Sequence, residues 1–339
     1  MNSGRKNITA TAKDVAKMAG VSASTVSRVI NNDVRISSVT KANVLRCVKI
    51  LDYKVNNIAR SLKTKHTYTI GFIAPEISEE FFMRIAKGAE GILQKNGYSL
   101  IICNANDNLK DETDRIHLLQ EKQVDGVIII PSTNEGKNYQ ILRNAGIPVV
   151  LADRLVNNFE ANTVLVDNIN GTYAAIEHII NLGVKRIGFI GGKETLSIAQ
   201  ERFEGYKRAH KDYNIPIDKE LIKFGDFHID SGYQLMKESL SMDNPPQHLF
   251  ISNYYMHVGA VKYLIEKEVK KPFSVGISSF DDMQLSALLG HASVTVSQPI
   301  IEIGETAANL LLKRIKEKGA KVPFQTTRLK TKLIYYQTY

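Results

Sequence analysis

The sequence predicts a small all-α helix-turn-helix head followed by a two-lobed α/β core with parallel sheets. Three observations carry that prediction. Residues 12–32, AKDVAKMAGVSASTVSRVINN, read as two short helices around a glycine turn. The excess charge sits at one end: residues 1–66 hold 13 Lys/Arg against 3 Asp/Glu, a net of +10, while the remaining residues net −1. From Tyr68 onward, short apolar runs alternate with amphipathic helical stretches in two rounds, each opening on IGFI, at 70–73 and 187–190. Alternation of that kind means parallel strands with helices crossing over between them.

Residues 1–8 read as a basic leader. Thr11 then caps a first helix, with Asp14 as the acidic half of a capping box. Val15, Ala16 and Ala19 form its apolar face. Gly20 ends it, because glycine enters the left-handed cap without steric cost. Ser22 caps the second helix, Val26, Val29 and Ile30 give its buried stripe, and Asn31-Asn32 stop it. Ala23, Ser24, Ser27 and Arg28 are left facing outward, with Thr25 beside them. Small and hydroxylic side chains with one cation suit a helix pressed into the DNA major groove. A third helix, capped by Ser37 or Ser38 and ending near Asp52-Tyr53, closes a miniature core with Val44, Val48 and Leu51. An ordinary helical hairpin would share much of this pattern. A subdomain this basic beside a nearly neutral bulk calls instead for a polyanionic partner.

The wording DVAKMAGVSASTVSRVIN closely resembles the head of the LacI/GalR family of bacterial transcription regulators, and the resemblance extends over the whole chain. By position, Val55–Lys65 (VNNIARSLKTK) is a linker, too short to hold a helix alone in water. It resembles the family hinge, Tyr-x-Pro-Asn-x-x-Ala-Arg-x-Leu. Tyr53, Asn56, Ala59, Arg60 and Leu62 match, and Val55 stands where proline is usual. The resemblance implies that this segment folds on DNA, pairs with its dimer mate and pushes Leu62 into the minor groove, where an apolar wedge unstacks a base step. The DNA-binding residues so implied are Ala23, Ser24, Thr25, Ser27 and Arg28 on the head and Asn56, Ala59, Arg60 and Leu62 on the hinge. The limits are a head at 1–55, a hinge at 56–66 and a core at 67–339.

In the core, the first round reads TIGFIAP, YSLIICNA, VDGVIIIPS and PVVLAD as strands separated by helical stretches. The second reads RIGFIGG, residues 221–224, HLFISN and FSVGISSFDD. Two αβ lobes with similar openings resemble the periplasmic binding protein fold. Family topology implies that the lobes exchange segments. VTVSQP (294–299) returns the chain to the first lobe, IGETAANLLLKRIKEKG is its helix, and RLKTKLIYY lies across the second lobe. The first lobe is then about 67–167 and 298–326, the second about 168–297 and 327–339.

Enzyme signals are weak. GFIGGKET at 188–195 has the wrong glycine spacing for a P-loop, and Glu194 stands where a Mg²⁺ site needs Ser or Thr. There is no GxGxxG, no HExxH and no clustered Cys/His set, so no catalytic group, metal or cofactor is expected. Cys47 and Cys103 imply no disulfide framework. No run approaches the ~20 apolar residues of a membrane span, and the N-terminus lacks an apolar signal core. A cytoplasmic protein with no membrane partner is expected.

Polar residues recur at the carboxyl ends of the predicted strands, where ligands bind in open α/β sheets: Glu76, Asp153-Arg154, Asn253 and Asp281. The family resemblance adds Arg202 of RFEG and places Phe280-Asp281 in the effector site. Three positions depart from the family pattern: Tyr254 replaces Asp, His257 replaces Ala and Ser279 replaces Gly. An aromatic at 254 stacks on a sugar face or narrows the pocket. The expected protein is a homodimeric repressor of carbohydrate-utilisation genes, with tetramers left open. Its expected partners are a double-stranded DNA operator and a sugar-like effector, and Arg154 and Arg202 suit a sugar acid or sugar phosphate. Two alternatives remain at this stage: a regulator controlled by a protein corepressor, and a sugar-metabolising enzyme with a DNA-binding head.

Overall fold

The computed structural model describes residues 10–30, 33–53, 66–267, 275–286, 292–317 and 322–336. The chain forms two units, Met1–Thr67 and Tyr68–Tyr339.

In the first unit, helices α1 (Ala12–Ala19), α2 (Ala23–Ile30) and α3 (Ser38–Ile50) enclose a small core of Val15, Ala16, Ala19, Val26, Val29, Val44 and Cys47. The caps explain the helix lengths. Thr11 N–H and Oγ1 both donate to Asp14 Oδ2, at 2.8 and 2.7 Å. Gly20 takes the left-handed conformation at φ 67°. Ser22 Oγ accepts from Thr25 N at 3.1 Å. Asn43 Nδ2 donates to the Ala19 carbonyl at 2.9 Å and so ties α3 to the end of α1. The expected stop at Asn31-Asn32 and the hinge positions Asn56, Ala59, Arg60 and Leu62 lie outside the described residues.

The second unit opens with β1 (Thr69–Ala74), α4 (Glu80–Lys95), β2 (Ser99–Asn104), α5 (Leu109–Glu121), β3 (Gly126–Ile129), α6 (Gln140–Asn144), β4 (Val149–Ala152) and β5 (Asn162–Val166). Next come α7 (Asn168–Asn181), β6 (Ile187–Gly191), α8 (Ser197–Asp212), β7 (Ile222–Phe224), α9 (Ile229–Leu240), β8 (His248–Ile251), α10 (Tyr254–Glu266), β9 (Gly276–Phe280) and β10 (Ala292–Ser297). The chain closes on α11 (Ile300–Lys316), β11 (Thr326–Leu329) and β12 (Lys332–Tyr335). Two six-stranded sheets result, ordered β11-β5-β4-β3-β1-β2 and β12-β10-β9-β8-β6-β7. The orders match strand for strand, so the IGFI repeat extends to the topology. Within the second sheet β12 runs antiparallel to β10. Strands β1, β3, β4, β5, β6 and β8 are buried nearly end to end, as parallel strands covered on both faces must be.

The lobes exchange chain at three crossings: between β5 and α7, between β10 and α11, and between β11 and β12. Gly171 lets them pass closely, since a Cβ there would meet Thr331 Oγ1 at 2.6 Å. One expected limit is corrected. RLKTKLIYY does not lie wholly across the second lobe, and the first lobe does not end at 326. Thr326–Leu329 pairs with β5 in the first sheet, and the chain crosses only afterwards. Both halves are edge strands that mix exposed and half-buried residues, so their pattern carries no mark of the break.

Helices α4 and α11 pack closely across the first lobe. A Cβ on Gly304 would meet the Ile85 carbonyl oxygen at 1.9 Å, and one on Gly88 would meet that of Ile301 at 2.2 Å. Gly304→Ala therefore forces two backbones apart. The overpacking cost of about 1–3 kcal/mol outweighs the gain in helix propensity of about 1 kcal/mol. The expected outcome is a lower denaturant midpoint for the core, read by circular dichroism.

Candidate functional site

On the first unit, Ala23, Ser24, Ser27 and Arg28 are exposed along α2. Thr25 is half-buried, and its hydroxyl lies 2.9 Å from Ser22 Oγ in the cap. It positions the helix rather than offering a free hydroxyl. Of the head's acids, Asp14 is held by Thr11 and Asp33 by Arg35, whose Nη2 donates to Asp33 Oδ2 at 2.7 Å.

On the second unit, the carboxyl ends of the two sheets face one cleft. Asp153 follows β4 and Asp281 follows β9, the fourth strand of each round. Their geometry repeats: φ is +67° and +72°, and each amide donates to the neighbouring strand, to Val164 O at 2.8 Å and to Val296 O at 2.9 Å. Left-handed backbone at a non-glycine residue is strained, and such strain gathers where function over-determines the structure. Each aspartate faces an arginine: Arg154 Nε lies 3.5 Å from Asp153 Oδ2, and Arg202 Nη1 lies 3.7 Å from Asp281 Oδ2.

Arg202 comes from α8 and is almost completely buried. Its Nε donates to Asn168 Oδ1 at 2.9 Å and its Nη1 to the Ser252 carbonyl at 2.5 Å. The guanidinium lies 3.8 Å above the Phe280 ring. Phe280 therefore supports Arg202 from beneath and does not line the cleft. Arg154 Nη1 donates to the Pro131 carbonyl at 2.8 Å. Gln298, at the second crossing, donates to Asp281. Burial pushes the Asp153 and Asp281 carboxyls above the ordinary carboxylate range, and their arginines pull them back. Asp153 Oδ1 is buried with no hydrogen-bond partner among the described residues.

Asn253 lines the cleft but also serves the fold. Its Oδ1 caps α10 through Met256 N at 3.0 Å, and its Nδ2 holds the Phe227 carbonyl at 2.8 Å. Glu76 is not a cleft residue. Strand β1 ends at Ala74, and the Glu76 carboxylate turns back to accept from Ser78 N at 2.9 Å. The cleft encloses only about 30 Å³, and sequence reasoning left several of its lining residues off the site: Glu79, Phe81, Phe82, Phe227, Tyr254 and Tyr255. Tyr254 is one of the departures from the family pattern. It comes from α10 yet packs into the first lobe's core beside Phe81 and Phe82. Phe227 sits at φ 75°, a conformation that its residue type does not announce.

Contacts between the lobes ring this cleft. Tyr255 OH accepts from Glu80 N at 2.8 Å, Ser197 Oγ accepts from Leu155 N at 2.9 Å, and Lys193 pairs with Asp107. Among the described residues no group of His, Cys, Asp and Glu is placed to hold a metal ion. No described helix is long and apolar enough to cross a membrane.

A basic helix-turn-helix unit and a two-lobed cleft of this kind are the parts of a DNA-binding transcription regulator. A profile described as bacterial regulatory proteins, lacI family, matches residues 11–56. A second, described as periplasmic binding proteins and sugar binding domain of LacI family, matches residues 67–334. The HTH-type transcriptional regulator RegA of Clostridium saccharobutylicum is 32% identical over 312 residues, spanning 92% of this chain and 94% of that protein. An HTH-type transcriptional repressor PurR of Haemophilus influenzae is 34% identical over 316 residues, spanning 92% and 93%. Among solved structures, the complex of the transcriptional regulator CelR with cellobiose superposes with a TM-score of 0.72 at 28% identity over 97% of this chain and all of that one. The lac repressor bound to ONPG shares the fold at a TM-score of 0.83 and 22% identity, over 97% and 99%. The chain belongs to the LacI family of bacterial transcription regulators.

Proposed function

We propose that this regulator is a homodimeric repressor of carbohydrate-utilisation genes, acting in the cytoplasm, and that a small polyhydroxylated effector held in the cleft sets its affinity for a double-stranded operator. The observation that supports this reading is the pair of buried aspartate–arginine couples facing each other across the cleft, with Asp153 Oδ1 left without a donor. Hydroxyl groups both donate and accept, and aromatic walls take the apolar faces of a sugar ring. A cleft of about 30 Å³ is far below the roughly 300–1,000 Å³ of ordinary ligand pockets. The effector therefore enters with the lobes apart, and closure over it is the expected motion.

Effector and operator then act as two ligands of one equilibrium, and their coupling is reciprocal, with a typical size of about 1–3 kcal/mol. Matched titrations test this. Effector affinity should shift with operator present by the same factor as operator affinity shifts with effector present. Asp281→Ala should lose the effector and keep the operator. A variant that still binds effector normally would remove the cleft from the mechanism.

On the DNA side, Arg28 is the one long cation among the exposed residues Ala23, Ser24, Ser27 and Arg28 of α2. Arg28→Ala should cost about 1–3 kcal/mol on operator DNA and relax preference at one base pair per half-site. Equal affinity of the variant and the parent for operator DNA would rule out this docking.

A further inference from the structure

We propose that the cleft ligand carries one positive charge on its polyhydroxylated frame, as an amino sugar does, and that Glu79 receives its ammonium group. The proposal rests on the reading of the cleft as the effector site and goes further by fixing the charge of the ligand.

The residues lining the cleft include three carboxylates, Glu79, Asp153 and Asp281, and two guanidiniums, Arg154 and Arg202. The guanidiniums are taken: Arg154 lies 3.5 Å from Asp153, and Arg202 lies 3.7 Å from Asp281. The two arginines that made an acidic sugar attractive in the sequence are thus already neutralised. Glu79 is the carboxylate left over. It stands just before α4, and no described residue donates a hydrogen bond to its side chain. The basic group beside it is the imidazole of His228, whose Nδ1 lies 3.7 Å away on a half-exposed ring at the rim. Lys193 is engaged with Asp107. The site is therefore one positive charge short. An anionic ligand would deepen the imbalance, and a cationic one would close it.

The walls suit the same chemistry. Arg154 already lies over Phe82, which lines the cleft. Phe81, Phe227, Tyr254 and Tyr255 add further aromatic surface to the cleft. Cations are attracted to such faces.

The groups facing Glu79 are Arg154, Asp107, Glu76 and Asp281, with His228 at the rim and Tyr255 from α10. Burial pushes the Glu79 carboxyl up to about 7. Arg154 opposes this, and the carboxylates of Asp107, Glu76 and Asp281 add to it. A bound ammonium would favour the ionised form, so binding should strengthen as pH rises through this range.

The test is calorimetric titration of the full-length protein with glucosamine, galactosamine and mannosamine, each beside its parent hexose and the matching hexuronate. At least one amino sugar should bind at least tenfold more tightly than its parent and its acid. From the raised Glu79 value of about 7, affinity for it should rise about fivefold between pH 6 and pH 7. Glu79→Gln should remove both the preference and the pH dependence while leaving the melting temperature in place, because the Glu79 side chain makes no cap hydrogen bond to α4. A parent hexose or a hexuronate that binds as tightly as its amino counterpart would overturn the charge assignment and leave the cleft as a sugar site. Binding by no member of the panel would overturn the sugar cleft together with it.

Discussion

Raising the salt from 50 to 200 mM is expected to weaken operator binding by about three to five orders of magnitude. That is the loss for a protein making about six to ten phosphate contacts, each releasing condensed counterions. Residues 1–66 carry a net charge of +10 per chain, which makes contacts of that number reasonable for the two heads of the proposed dimer. Lys13, Lys17, Arg28, Arg46 and Lys49 are exposed on the described part of the head. They outnumber its acids: Asp33 is paired with Arg35, and Asp14 keeps its charge within the Thr11 capping box. Fluorescence anisotropy against salt should give a slope of log K on log[salt] of roughly −5 to −9. Arg35 supplies an internal contrast: since Asp33 already neutralises it, Arg35→Ala should change the slope less than Lys17→Ala. A slope near zero would show that this charge serves something other than DNA.

The head was legible in the sequence because its rules are local. Thr11 and Asp14 are three residues apart, Gly20 needs only its own missing Cβ, and Ser22 caps the turn that follows it. The two cleft aspartates were legible for a related reason. Each ends an apolar strand, and strand ends can be read from a short window. The aromatic walls and Glu79 were not, because Phe81, Phe227 and Tyr254 come from segments far apart in the chain and are brought to one cleft only by the tertiary fold. Tyr254 shows the difficulty: on α10 it reads as part of the second lobe, yet its ring joins the first lobe's core. Glu76 failed in the opposite direction. It lies two residues past the end of β1, and there a local turn, with Ser78 N as donor, claims its carboxylate. The last crossing was hidden because β11 and β12 are both half-buried edge strands.

Arg202→Met is expected to destabilise the core by about 3–5 kcal/mol, the usual cost of removing one partner from a buried ion pair. The side chain is almost completely buried, and it serves Asn168 Oδ1, the Ser252 carbonyl and Asp281 while lying on Phe280. Methionine keeps much of the volume but leaves the Asp281 carboxylate buried without its cation, with Gln298 and the Tyr254 amide as donors. The pH dependence identifies the cause. Burial already raises the Asp281 carboxyl in the parent, and Arg202 holds it down. Without Arg202 the folded-state value rises further above the unfolded one, so the folded variant binds the extra proton. The stability deficit should therefore shrink as pH falls from 7 toward 5 and grow as pH rises through the folded value. Replacing both partners, as Arg202→Met with Asp281→Leu, should restore most of the stability, since a buried pair can be exchanged for apolar residues at little cost. If the cleft holds the effector as proposed, the same double variant should show no response to it, because both charges of the pair are gone. Denaturant titrations at pH 5 and pH 7 on the parent, the single variant and the double variant measure all of this. A single variant as stable as the parent at pH 7, or a double variant that keeps its effector response, would show that the Arg202–Asp281 pair is neither the electrostatic anchor of the cleft nor its sensor.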